Sequence, residues 1–285
     1  MIIRFLFGSI YLTVKEREHH HKLALKLLIV GLVVSAIIAN SLIIFSDGYK
    51  RHSISLWILN ITGAIASALA IIAVCRHGIH GLHGKSYLFL MLGLISWFSA
   101  ELTLMYYYFG LGMEEYRLVS LPDGFWFAGY VFLALHLFTV LHSLRSTIKP
   151  RIVVLVSIAT LLFVIYNVFS LISSKSLVDI DLAAFIVTIA YPILDLTLII
   201  PSAIILVSLR KDYQHSIPWF LSSLSLLVNA IADDGYVNDF VSGNSQNLWV
   251  WDLFYVTDFI IMAGALFWYN KFHISNEIRN AKMEQ

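Results

Sequence analysis

The chain has 285 residues, of which 59% are hydrophobic and 13% are charged, and its mean hydropathy is +0.80. Soluble domains carry about 25% charged residues, so this composition excludes an ordinary soluble protein and predicts an integral membrane protein. The formal net charge of +1 excludes a nucleic-acid-binding surface as the main role of the chain. The single cysteine, Cys75, cannot form an internal disulfide.

The apolar segments, taken in chain order, predict an all-α bundle of about eight transmembrane helices. A span needs about 20 consecutive, mainly apolar residues. Residues 1–22 are expected to form an interfacial or cytoplasmic segment, since their apolar part is too short to span and a charged run follows it. Residues 23–270 are expected to form one transmembrane domain and 271–285 a cytoplasmic tail. The predicted spans are 23–46, 53–75, 87–109, 124–146, 151–172, 182–208, 217–240 and 247–270.

The loops between the spans are unequally basic, which predicts their orientation. Most of the 19 Lys and Arg residues fall on the side of the two termini. The loops on the opposite side hold Lys50, Arg51, Arg117 and Lys175. Loops rich in Lys and Arg remain in the cytoplasm, so we expect both termini to be cytoplasmic and the number of spans to be even.

Six carboxylates lie inside the predicted spans, all in the half of the bilayer away from the termini, and no Lys or Arg accompanies them there. An ionisable group in hydrocarbon costs at least ~2.5–3.5 kcal/mol on insertion scales, and usually marks a cavity, an ion path or a bound cation. Simple packing of helices through hydrogen bonds would not need ionisable groups. We therefore predict a pocket that opens to the outside. The six residues are Glu101, Asp195, Asp233, Asp234, Asp252 and Asp258.

Helical spacing places aromatic side chains beside several of these acids. Trp97 and Glu101 are four residues apart on one helix face, and so are Tyr191 and Asp195. Aromatic rings beside carboxylates can hold an organic cation, so a bound cation is the candidate cofactor. Asp123 is placed at the mouth of the pocket. The predicted ligand- or cation-binding residues are Glu101, Asp123, Asp195, Asp234, Asp252, Asp258, Trp97, Tyr191 and Tyr255.

Three histidines recur at every third position in a glycine-containing loop that the topology places in the cytoplasm: His77, His80 and His83. Imidazoles can bind a transition metal. No cysteine or carboxylate in the loop completes a ligand set, so a solvated loop is the alternative. Motifs of membrane enzymes such as H-E-x-x-H and G-x-S-x-G are absent from the sequence, which favours a protein that is not an enzyme.

One pattern is more specific than composition. The order of motifs resembles the multi-spanning sensor region that precedes many bacterial diguanylate cyclases and some prokaryotic histidine kinases. The resemblance covers about residues 25–270 and implies a prokaryotic plasma-membrane protein with an outward-facing pocket. The motifs are Trp97-x-x-x-Glu101, Leu121-Pro122-Asp123-Gly124-Phe125-Trp126-Phe127-Ala128-Gly129-Tyr130, Tyr191-Pro192-x-x-Asp195, Asp233-Asp234-Gly235-Tyr236 and Trp251-Asp252-x-x-Tyr255.

The chain departs from that family pattern in two ways. The segment Leu121-Pro122-Asp123 lacks the usual spacer between proline and acid. No cyclase or kinase domain follows the last span, so the output is expected on another chain.

Three functions remain open from the sequence. The first is a stand-alone membrane sensor or binding module that signals to a partner protein, either at the cytoplasmic face or within the membrane. The second is an accessory or structural subunit of a larger membrane complex. The third is a cation- or proton-coupled transporter, or a membrane enzyme. In each case the lipid bilayer is a partner and nucleic acid is not.

Overall fold

The computed structural model describes residues 14–113, 119–173, 182–209, 216–242 and 245–273, and every regular element in these ranges is helical. A 3₁₀ turn, Ser245–Asn247, precedes the last α-helix, and a π-helical turn, Tyr269–His273, follows it. The α-helices are α1 Val14–Ile44, α2 Gly48–His77, α3 Gly81–Leu111, α4 Leu121–Leu144, α5 Pro150–Ser173, α6 Leu182–Leu209, α7 Ile217–Val241 and α8 Trp249–Trp268.

The predicted all-α fold class is confirmed for the described residues, and each predicted span overlaps one helix, although α1 begins at Val14 instead of residue 23. Seven of these helices are long and apolar enough to cross a membrane, which supports a multi-pass membrane protein. The remaining helix, α7, is less apolar because it carries serines, Asn229 and three aspartates. The predicted N-terminal segment 1–22 overlaps α1, while residues 1–13 and most of the predicted tail, 274–285, lie outside the described residues.

Six helices form a closed ring, and two lie outside it. Around the ring α2 packs against α3, α3 against α4, α4 against α6, α6 against α7, α7 against α8, and α8 against α2. Helix α1 packs on the outside against α8 and α2, and α5 packs mainly against α6. The ring therefore surrounds the centre of the molecule, and α1 and α5 add an outer layer.

One end of the ring is filled by apolar and aromatic side chains. Tyr87 of α3 stacks on Tyr269, with ring centroids 3.7 Å apart. Gly93 lets α4 approach α3 closely, since a Cβ at this position would lie 2.6 Å from Leu133 Cγ. We call this the packed end and the opposite one the cavity end. The packed end is marked by Tyr87, Leu133, Leu137, Ile205, Leu266 and Tyr269, all buried.

Candidate functional site

The ring encloses a cavity of about 830 Å³ at the cavity end. All six ring helices contribute lining residues, whereas no described residue of α1 or α5 does. The volume lies in the range of about 300–1,000 Å³ that is typical of pockets for small molecules. Eleven of the 26 lining residues are aromatic: Trp97, Tyr107, Tyr108, Trp126, Tyr130, Tyr191, Tyr236, Phe240, Trp249, Tyr255 and Phe259.

Three carboxylates from three helices line the cavity: Glu101 of α3, Asp233 of α7 and Asp252 of α8. Ser55 Oγ donates a hydrogen bond to Asp252 Oδ2 at 2.5 Å. The indole N–H of Trp126 donates to the Glu101 side chain, and Glu101 and Asp252 are close enough to repel each other when both are charged. The wall therefore presents negative charge next to aromatic rings.

Asp233 is the most extensively hydrogen-bonded of these acids. Tyr255 Oη donates to Asp233 Oδ1 at 2.6 Å, and Asn229 Nδ2 donates to Asp233 Oδ2 at 2.9 Å. Tyr130 Oη also contacts Asp233 Oδ2, and it lies 2.6 Å from Asp195 Oδ1. Asp195 is fully buried and does not line the cavity, but a single hydroxyl group links it to an acid that does.

Trp97 is held in the wall by a close approach between α3 and α4. Its Nε1–H donates to the carbonyl of Trp126 at 3.2 Å. A Cβ placed on Gly129 would lie 2.2 Å from Trp97 Cδ1, so only glycine leaves room for the indole ring. The same helix face carries Glu101 one turn further on, which is why the Trp97-x-x-x-Glu101 pattern brings both side chains to the cavity.

Asp123 lies behind the wall and supports it. Ser120 N–H donates to Asp123 Oδ2 at 2.7 Å, within the capping box that begins α4. Tyr191 Oη donates to Asp123 Oδ1, also at 2.7 Å. Asp123 therefore fixes the lining residue Tyr191 to the start of α4.

Two predicted site residues lie away from the cavity. Successive helical positions differ by ~100° in direction, so with Asp233 in the wall its neighbour Asp234 points elsewhere. Asp234 is 3% exposed, and neither of its carboxyl oxygens has a hydrogen-bond partner among the described residues. Asp258 accepts a hydrogen bond from Ser225 Oγ of α7.

The structure thus brings together only part of the predicted set. Glu101, Asp252, Trp97, Tyr191 and Tyr255 line the cavity. Asp123 and Asp195 touch lining tyrosines, whereas Asp234 and Asp258 do neither. A binding role for any of them remains a prediction.

Several lining residues were missing from the predicted site. Asp233 could have been chosen over Asp234 because Asn229 lies four residues before it. Arg51 was assigned to a loop, but α2 begins at Gly48 and carries it into the cavity wall. Its guanidinium lies 4.2 Å above the Trp249 ring and 3.3 Å from the carbonyl of Ser46. No sequence signal marked Tyr130 as a link between two acids.

The histidines of the predicted metal loop separate at the packed end. The His77 ring lies 6.0 Å from that of Tyr269, and the His83 ring lies 5.4 Å from that of Trp219. His80 directly precedes α3. Within the described ranges, no three His, Cys, Asp or Glu residues are grouped so that they could hold a metal ion. A metal site at His77, His80 and His83 therefore gains no support from the geometry.

Comparison of the chain with protein-family models, with curated proteins and with solved structures finds no significant match. The resemblance to bacterial sensor regions remains a prediction that depends on the motifs quoted above. Function must therefore be argued from the chemistry of the cavity, since a fold alone does not define an activity.

Proposed function

We propose that this protein is a membrane-embedded binding module whose cavity takes a small organic cation, and that it acts as a sensor by passing the occupied state to a partner protein. The observation that carries this proposal is the position of Glu101, Asp233 and Asp252 in an aromatic wall. Carboxylates supply the charge that a cation needs, and aromatic faces add cation–π attraction, which is strongest when water is excluded.

An organic cation fits this wall better than a bare metal ion does. A metal ion needs several ligand atoms at about 2–2.6 Å, and the described residues contain no suitable group of three His, Cys, Asp or Glu. The cavity volume of about 830 Å³ also far exceeds that of one ion. A quaternary or primary ammonium group with an apolar body would contact acids and rings together.

The proposal is tested by titrating the full-length protein in detergent with tetraethylammonium, with sodium chloride as the control for ionic strength. Trp97, Trp126 and Trp249 line the cavity, so their fluorescence should change as the probe binds. Replacing Glu101→Gln or Asp252→Asn should raise Kd by at least about tenfold, because a close pair of opposite charges in a binding site contributes on the order of 2 kcal/mol or more.

Asp47→Asn provides the matched control. Asp47 lies at the start of α2, at the cavity end, but its side chain is exposed and makes no capping hydrogen bond. This variant should bind the probe as the wild type does. A fluorescence change of equal size with sodium chloride, or equal binding by all four proteins, would show that the cavity is not a site for organic cations.

The proposal includes eight membrane crossings with both termini in the cytoplasm of a prokaryotic cell, so that the cavity opens outward. The distribution of Lys and Arg supports it, and so does the place of α7 in the ring between α6 and α8. A reporter fused after Asn244 should then lie outside the cell and one fused after Lys211 inside. Opposite placement of either reporter would contradict this topology.

Signalling to a partner is supported by the resemblance to sensor regions and by the basic loops on the side of the termini. A partner captured from cross-linked membranes should change in amount when tetraethylammonium is present. Equal capture with and without the probe would remove the sensing part of the proposal and leave the binding module.

A cation- or proton-coupled transporter is the second candidate, and one observation favours it. Pro192 and Pro201 lie inside α6, on either side of Asp195. Each proline removes a helical hydrogen bond, and interrupted helices beside a buried acid are common at transport sites. Uptake of labelled tetraethylammonium into proteoliposomes would support transport, and binding without uptake would support the sensor.

A further inference from the structure

The contacts of Tyr130 require an extra proton. Tyr130 Oη carries one hydrogen, yet it contacts two carboxyl oxygens, Asp195 Oδ1 at 2.6 Å and Asp233 Oδ2. The hydroxyl can donate to only one of them. The other carboxyl must then be protonated and donate to Tyr130 Oη, because two acceptors cannot form a hydrogen bond.

The remaining contacts indicate which carboxyl holds this proton. Asp233 accepts further hydrogen bonds from Asn229 Nδ2 and Tyr255 Oη, so its negative charge is well stabilised. Asp195 is 0% exposed, and its Oδ2 has no hydrogen-bond partner within the described ranges. A buried carboxylate without donors is far more costly than a neutral acid in the same place. The arrangement is therefore Asp195 donating to Tyr130 and Tyr130 donating to Asp233.

We propose that Asp195 is a proton-binding site coupled to the cavity, and that a cation entering the cavity displaces its proton. This inference rests on the proposed function, since it concerns the same cavity. A cation beside Asp233 replaces Tyr130 as the partner of that carboxylate. The Tyr130 hydrogen then passes through Asp233 to water in the cavity, and the Asp195 hydrogen passes to Tyr130 Oη.

The proton count balances in this exchange. Before binding, the three groups hold two hydrogens, one on Asp195 and one on Tyr130. After binding, Tyr130 keeps one hydrogen and donates it to Asp195, so the newly charged Asp195 is not left without a donor. One proton leaves for solvent as one positive charge arrives, so the charge of the site is unchanged.

The surroundings of the pair determine the sign of the pH dependence. The titratable groups that interact with Asp195, Asp233 or Tyr130 are acids and tyrosines, on α3, α7 and α8. Negative charge on the three acids among them favours retention of the proton until a cation offsets the repulsion, whereas the tyrosine is neutral. Since binding releases a proton, affinity for the cation should rise with pH, by up to about tenfold per pH unit. These groups are Glu101, Asp234, Tyr255 and Asp258.

The first test measures proton release when tetraethylammonium binds to the wild-type protein in weak buffer. The probe has no N–H group, so any released proton comes from the protein. We expect about one proton for each bound probe, and Kd should fall as pH rises. Binding without proton release would overturn the proposal, and this measurement needs no variant.

The second test replaces the proton holder by Asp195→Asn. The amide N–H can donate to Tyr130 as the protonated carboxyl does, so the variant should still bind the probe while proton release and the pH dependence of Kd are lost. Asp47→Asn is the control, because its exposed side chain is not among the groups that interact with Asp195, Asp233 or Tyr130. Proton release from the Asp195→Asn variant equal to that of the wild type would contradict the assignment.

Infrared difference spectra separate this proposal from the proposed function. The wild-type protein without probe should show the carbonyl stretch of a protonated carboxylic acid that Asp195→Asn removes. If that band is absent, the proton site is wrong even where the probe binds. If the band is present but tetraethylammonium neither binds nor changes it, the organic-cation function and the coupling both fail, while the shared proton stands.

Discussion

The two ends of the helical ring are built in opposite ways. At the packed end, side chains such as Leu133, Ile205 and the stacked pair Tyr87 and Tyr269 fill the centre and exclude water. At the cavity end residues of the same six helices line about 830 Å³ of space, with Glu101, Asp233 and Asp252 among them. Stability should therefore come mainly from the packed end, and binding from the cavity end.

This difference follows from the residues that each helix carries at its two ends. Helix α3 contacts α4 at both ends: near Gly93 through the small glycine, and near Trp97 through a large indole ring, with the polar Glu101 one turn beyond. In a close-packed region, adding or removing one methyl group changes the stability of the protein. In a cavity the same change leaves room for a ligand or water. Substitutions at the two ends should thus have separable effects.

The largest effect on stability is expected at the packed end. Leu133→Ala removes a side chain that is 0% exposed and leaves a void between α3 and α4. The free energy of unfolding should fall by about 2–5 kcal/mol, measured by thermal or denaturant unfolding in detergent. The folded variant should still bind tetraethylammonium.

Leu135→Ala is the matched control for that substitution. Leu135 lies on the same helix but is 40% exposed, on the outer surface that faces lipid. Its truncation should change stability far less. Equal losses for Leu133→Ala and Leu135→Ala would show that the packed end is not the stabilising region.

The next largest effect on stability is expected at Gly129. A substitution there should lower both the stability of the protein and its affinity for the probe. Gly129→Ala places a methyl group within 2.2–2.3 Å of two atoms of the Trp97 indole ring. Overpacking of this kind costs about 1–3 kcal/mol, and the displaced Trp97 should also weaken binding of the probe. Gly124→Ala on the same helix has open space around the new Cβ, so it should leave binding intact. Identical behaviour of the two variants would contradict this role of Gly129.

The sequence was sufficient to predict where the helices lie along the chain. It was not sufficient to predict which face each helix turns toward the cavity. Runs of apolar residues located the eight α-helices of the described ranges, seven of which are long and apolar enough to cross a membrane. Spacing along one helix correctly paired Trp97 with Glu101 at the cavity. The predicted site took Asp234 in place of Asp233, although Asn229 marked the face of Asp233, because the direction of α7 about its own axis depends on its contacts with α6 and α8. The contact between Gly129 and Trp97 likewise exists only once α3 and α4 have packed.

A smaller effect on stability is expected where cavity acids are neutralised. Glu101→Gln and Asp252→Asn each remove one of two lining charges that repel each other when both are ionised. Their unfolding temperatures should be unchanged or raised, although both variants lose affinity for the probe. This outcome would distinguish the roles of the two ends of the ring, since no packed-end substitution should raise the unfolding temperature and also remove binding. A marked fall in unfolding temperature for both variants would instead assign these acids to packing.

The smallest effect is expected at Asp234, the neighbour of a lining acid. Asp233→Asn replaces a cavity carboxylate that accepts hydrogen bonds from Tyr255 and Asn229, so affinity for tetraethylammonium should fall by at least about tenfold. Asp234→Asn changes a group that does not line the cavity and whose oxygens have no hydrogen-bond partner among the residues that the structure describes. Its affinity should change by less than about twofold, because a charge outside the cavity acts only at a distance. Titrating both variants side by side tests the rotation of α7 directly. If Asp234→Asn loses binding and Asp233→Asn retains it, α7 turns its other face toward the cavity. Asp234, and not Asp233, would then be the lining acid.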